Sequence, residues 1–100
     1  MKSQFGAKIR LLREQHNLYL RQVAPLLEMD TAQLSKIEKG LRQMKKEQIT
    51  LLADIYKADL TELETLWLSD QIVDVVKDSD SALQAIYIAG NHIKDRNLTK

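Results

Sequence analysis

Residues 20–40 read LRQVAPLLEMDTAQLSKIEKG, and two short apolar patterns inside this stretch decide the fold. The first runs from Leu20 to Leu27 and buries Val23, Ala24 and Leu27. Pro25 lies within it, and a proline is tolerated only near a helix start, so this helix must be short. Asp30 is followed three residues later by Gln33, the spacing of a capping box. That opens a second helix, Thr31 to about Lys39, with Leu34 and Ile37 inward. Gly40 stands where a helix ends in a left-handed residue.

Working outward, helical periodicity continues in both directions. Phe5, Ile9, Leu12 and His16 recur at helical spacing, Ser3 can cap that helix, and Asn17 can stop it. A helix over about 45–57 carries Ile49, Leu52, Ala53 and Tyr56. Asp59-x-x-Glu62 and Thr61-x-x-Glu64 both have capping-box spacing, so a further helix starts near residue 60. Residues 60–77 are compatible with one long helix or two. Asp78-Ser79-Asp80-Ser81 breaks the pattern, and a last helix spans about 81–95. No β-alternation of useful length appears, so the fold class is all-α.

Composition bounds the function. One hundred residues with 44% hydrophobic and 29% charged side chains make one compact domain with a short appendage. There is no cysteine, which removes disulfides and thiolate metal sites and fits the reducing cytoplasm. The start, MKSQFGAKIRLLRE, has no apolar stretch of signal-peptide length, and no run of about 18 apolar residues spans a membrane. The net charge of +1 conceals an asymmetry: residues 1–50 carry ten Lys/Arg and five Asp/Glu, residues 51–100 five and nine. A basic half beside an acidic half suggests that one half meets a polyanion.

The helix over 31–39 presents a distinctive exposed face. Opposite Leu34 and Ile37 stand Ala32, Ser35, Lys36 and Lys39, with Gln33 on the flank. A small residue permits close approach to a groove, and lysine donates to guanine O6 and N7. Taken alone, this is also what an ordinary solvated helix face looks like. Its context is more specific: two short helices in a tight connection form a helix-turn-helix, and the cations Lys39, Arg42, Lys45 and Lys46 follow at once.

At this point residues about 5–63 resemble the Cro/repressor-type, or XRE, family of helix-turn-helix DNA-binding proteins. The matching residues are Ile9-Arg10-x-Leu12-Arg13, Leu18, Val23-Ala24, Leu34-Ser35-Lys36-Ile37-Glu38-Lys39-Gly40, Ile49 and Leu52-Ala53. The resemblance implies a five-helix repressor-like domain whose third helix enters the major groove. It implies that Thr31, Ala32 and Lys36 read base edges. It puts Gln33, Lys39, Arg42, Gln43, Lys45 and Lys46 at phosphates or groove edges, with Ser35 grouped there. Arg13 and Glu38 are implied to form a partly buried structural ion pair. The chain departs from the family at Tyr19 and Leu20, where a cap and a glutamine are usual, and Arg21 and Gln22 are the substitutes for backbone contact. Glu28 replaces a turn glycine, and Met44 a frequent proline.

The organisation expected is a helix-turn-helix domain over 1–67 and a helical extension over 68–100. In the extension, Leu83, Ile86, Gly90 and Ile93 form a stripe with Tyr87 beside it. It packs back on its own domain or forms a dimer interface, and dimerisation is favoured. The function expected is a sequence-specific transcription regulator, a repressor or autoregulator, binding a palindromic operator in double-stranded DNA as a homodimer. The alternative is a protein–protein module on the same fold, an antitoxin or anti-regulator. No catalytic residues, metal ligands or cofactors are expected. His16 and His92 are isolated, Asp78-x-Asp80 lacks the glycine and glutamate of a calcium loop, and no nucleophile motif is present.

Overall fold

A computed structural model describes residues 3–98. It contains α1 (Gln4–Gln15), α2 (Leu20–Val23), a 3-10 turn (Ala24–Leu27), α3 (Thr31–Glu38), α4 (Lys46–Tyr56), α5 (Leu60–Val76) and α6 (Ala82–Leu98). No strand occurs among the described residues. The fold is an all-α helix-turn-helix domain followed by an extra C-terminal helix. Contacts divide the chain into two compact units, Met1–Asp70 and Gln71–Lys100, and the division falls inside α5.

The first unit is built on one core. Phe5 and Ile9 of α1, Val23, Ala24 and Leu27, Leu34 and Ile37 of α3, Met44, four residues of α4 and Leu63 of α5 are buried together. Burying a side chain of this size stabilises by roughly 1.5–3 kcal/mol, so this cluster is what holds α1 to α5 as a unit.

Helix ends are secured in ways that fix α1 against α3. The Ser3 hydroxyl accepts from the Gly6 N–H at 2.8 Å and donates to Asp70 at 2.6 Å. The Gln4 and Phe5 N–H groups donate to the same Asp70 carboxylate at 3.1 and 3.0 Å. Asp70 of α5 therefore satisfies donors that α1 cannot satisfy itself, and its charge suits a helix N-terminus. A Cβ at Gly6 would lie 2.5 Å from the Glu38 carbonyl oxygen, so only glycine lets α1 cross the end of α3 this closely. Gly40, at φ +77°, closes α3 in a Schellman motif: its N–H donates to the Ile37 carbonyl, and that of Leu41 to the Lys36 carbonyl.

Two local expectations change, and one open choice is resolved. The segment 20–27 is not one α-helix, because at Pro25 it tightens into 3-10 geometry. Proline lacks the donor that a helix interior uses, and a new 3-10 turn beginning at Ala24 puts Pro25 in a first turn, where that donor is not needed. Of the two capping spacings near residue 60, only Asp59 acts, accepting from Thr61 N at 2.9 Å, while Thr61 is already inside α5. Residues 60–76 form one continuous helix, and its far apolar residues Ile72 and Val75 are exposed.

Candidate nucleic-acid interface

The helix-turn-helix is fixed from below by apolar contacts and from the side by one ion pair. Val23, Ala24 and Leu27 meet Leu34 and Ile37 in the core. Between the helices, Glu28 adopts a left-handed conformation at φ 56°. Its N–H donates to the Pro25 carbonyl and that of Met29 to the Ala24 carbonyl. This is the position where the resembled family carries glycine, and glutamate bears the backbone cost there instead.

Arg13 and Glu38 form a bidentate pair, Nε to Oε2 at 2.8 Å and Nη2 to Oε1 at 2.9 Å. Arg13 Nη1 also donates to the Leu18 carbonyl at 3.0 Å. One guanidinium thus joins α1, the α1–α2 loop and α3, and hydrogen bonding to Glu38 holds it above its already high pKa. Tyr56 packs nearby against His16, ring centroids 5.6 Å apart. Burial, with the Glu38 charge second, raises the Tyr56 phenol far above its ordinary value. Its hydroxyl is buried without a hydrogen-bond partner.

On the outer side of α3, Thr31, Ala32, Lys36 and Lys39 are exposed, and Gln33 and Ser35 are half-buried. Asp30 Oδ1 accepts from Gln33 N at 2.7 Å, and Gln33 Oε1 accepts from Asp30 N at 3.2 Å. The cap consumes the carbonyl of Gln33 and leaves its amide donors, which suits an anionic partner. Half of this device begins α2 and α4, where Gln22 accepts from Tyr19 N and Gln48 from Lys45 N with no side-chain cap in return. A second hydrogen bond, Gln48 Nε2 to the Leu27 carbonyl at 3.1 Å, ties α4 to the turn.

Beside α3 opens a cleft of about 130 Å³. Gln33, Arg42, Gln43 and Lys45 line it, so the loop after α3 and the start of α3 share one concave surface. Glu28 lines it as well and opposes those cations. The loop is anchored from behind: Met44 is buried, and its carbonyl accepts from Trp67 Nε1 at 2.8 Å. Lys46 lies 3.6 Å from Glu64, which draws it toward α5.

At the other edge, Tyr19 begins α2 without a side-chain cap. Leu20 packs against the core, and the exposed Tyr19 ring holds the Arg21 guanidinium 4.5 Å from its centroid. Sequence reasoning missed Trp67, which supports this surface, and Asp70, which caps α1. Their partners lie too far along the chain for any local spacing to announce them. In the second unit, Leu83, Ile86, Tyr87, Gly90 and Ile93 of α6 are all exposed.

Among the described residues no group of three or more His, Cys, Asp or Glu could hold a metal, and no helix is long and apolar enough to cross a membrane. A family model described as a helix-turn-helix domain matches residues 4–66. No curated protein and no solved structure matches the chain.

Proposed function

The chain belongs to the helix-turn-helix domain family, and on that footing we propose that it is a sequence-specific transcription regulator. It represses or autoregulates from a palindromic operator, as a cytoplasmic homodimer without catalytic activity. Helix-turn-helix domains of this kind place the second helix in the major groove. Here α3 would enter with Thr31, Ala32 and Lys36 toward base edges.

The observation that carries the reading is the shared surface of α3 and the loop that follows it. Small and cationic side chains stand on the exposed face of α3. Beside it, Gln33, Arg42, Gln43 and Lys45 line one cleft and give it a net positive charge against the single carboxylate of Glu28, which supports phosphate contact. Arg21, Gln22, Ser35, Lys39 and Lys46 extend the backbone-contacting set. The domain boundary we propose is near residue 67, with the C-terminal extension supplying the dimer contact.

Selection of bound duplexes from a random pool tests the proposal. A palindrome with half-sites about 10 base pairs apart, centre to centre, is the expected outcome. Lys36→Ala should relax selection at one position of each half-site, at a cost of about 1–3 kcal/mol on the preferred base. If Lys36→Ala selects the same sites with the same stringency, α3 does not read DNA through this face.

A further inference from the structure

The exposed face of α6 specifies more than the fact of association. Every residue from Leu83 to Asn97 is exposed. Leu83 is 81% exposed, Tyr87 71% and Ile93 58%. A lone helix of 17 residues is marginal in water unless its apolar face is covered. At Gly90 an added Cβ would meet nothing within 4 Å, so the glycine sits in the open on this face. Helix interiors disfavour glycine, and nothing in the single chain explains it.

Charge along α6 is polarised. Asp78 and Asp80 precede it, Lys94, Asp95 and Arg96 stand near its end with a net positive charge, and residues 81–93 contain no Asp, Glu, Lys or Arg. Such a helix is complementary to itself only when reversed, because a parallel copy would set Asp80 beside Asp80 and Lys94 beside Lys94.

We infer that α6 pairs antiparallel with α6 of a second copy, in the register that sets Leu83 of one against Ile93 of the other. This rests on the homodimer reading above and adds its geometry. Leu83, Ile86, Gly90 and Ile93 occupy the first and fourth positions of successive heptads, the positions that face a partner in a coiled coil. In this register Ile86 of each copy enters the space over Gly90 of the other, which accounts for the glycine. Flanking positions then bring Tyr87 to Tyr87, and Asp80 to Lys94 at both ends. Packing and charge select the same alignment independently. In a parallel pair, Gly90 would face Gly90 across a gap.

The absence of native cysteine makes the test direct. Leu83→Cys and Ile93→Cys are made in the full chain and oxidised separately and as an equal mixture. The antiparallel register predicts little disulfide in either alone and a cross-linked dimer in the mixture. Efficient cross-linking of Leu83→Cys with itself would establish a parallel pair and overturn the inference. A dimer by mass that cross-links in no combination would overturn α6 as the interface while leaving the homodimer reading intact. A monomer by mass at every concentration would overturn both.

Charge reversal provides a second readout with the apolar face intact. Asp80→Lys or Lys94→Asp alone should raise the dimer dissociation constant about 5- to 30-fold, and the double reversal should restore it. Single reversals without effect would contradict the register.

Discussion

Removing Arg13 should destabilise this domain more than its place in the last turn of α1 suggests. Its side chain is 12% exposed and that of Glu38 5%. Two charge-assisted hydrogen bonds and one to the Leu18 carbonyl would be lost together. Arg13→Met leaves the Glu38 carboxylate buried and uncompensated, which costs about 3–5 kcal/mol. A domain this size has only about 5–15 kcal/mol in total. With an m-value of about 1–3 kcal/mol/M, the urea midpoint should fall by roughly 1–5 M. Arg13→Met with Glu38→Leu removes both charges and should recover most of that loss, because a buried pair is worth little against an apolar isostere. The assay is urea denaturation followed by far-ultraviolet circular dichroism on wild type, both single variants and the double. High salt should change the coupling little, since the pair is shielded from solvent. A loss below about 1 kcal/mol in Arg13→Met, or a double variant as unstable as the sum of the singles, would refute the reasoning.

Other outcomes follow from the same geometry. Glu28→Gly should stabilise by up to about 1 kcal/mol in thermal unfolding, because it relieves a left-handed glutamate. The same change should tighten binding to duplex DNA by removing a carboxylate from the cleft of Arg42 and Lys45. Lys45→Ala should weaken binding to all sequences alike and reduce the slope of log affinity against log salt by about 1, read by fluorescence anisotropy. Tyr56→Phe deletes a buried hydroxyl without a partner and should leave stability unchanged or raise it by about 1 kcal/mol at neutral pH. Because the Tyr56 pKa is raised on folding, the unfolded chain loses this proton first. Stability from this group is therefore complete below about pH 10, the ordinary tyrosine value, and declines as pH rises above it. Denaturant titrations at neutral and strongly alkaline pH should show that decline reduced in Tyr56→Phe.

What could be read in the sequence was what sits at fixed short spacing. Asp30 with Gln33, Gly40 after Ile37, and the inward set of α4 all act within a turn or two of themselves. The exposed set on α3 follows from the same arithmetic once Leu34 and Ile37 are placed inward. Features that depend on the fold were not legible. Asp70 caps α1 from 67 residues away from Ser3, and no local pattern distinguishes it from other acidic residues of α5. Trp67 looks like one more apolar residue of α5, yet its indole N–H fixes the backbone of the basic loop. Thr61 has the same capping spacing as Asp59, and only the helix start decides between them. Pro25 foretold an irregularity, but its own spacing does not say whether the helix stops there or continues as a 3-10 turn.

The central claim is that α3 and its basic flank bind duplex DNA, and salt-dependent electrophoretic retardation of random-sequence duplexes tests it most directly. Arg21, Lys36, Lys39, Arg42, Lys45 and Lys46 supply the cations. Retardation at about 50 mM salt, with affinity falling on the order of 10³-fold by about 200 mM, is the predicted result. No retardation at about 50 mM salt from a folded protein would contradict it and leave the protein–protein module as the account of this fold.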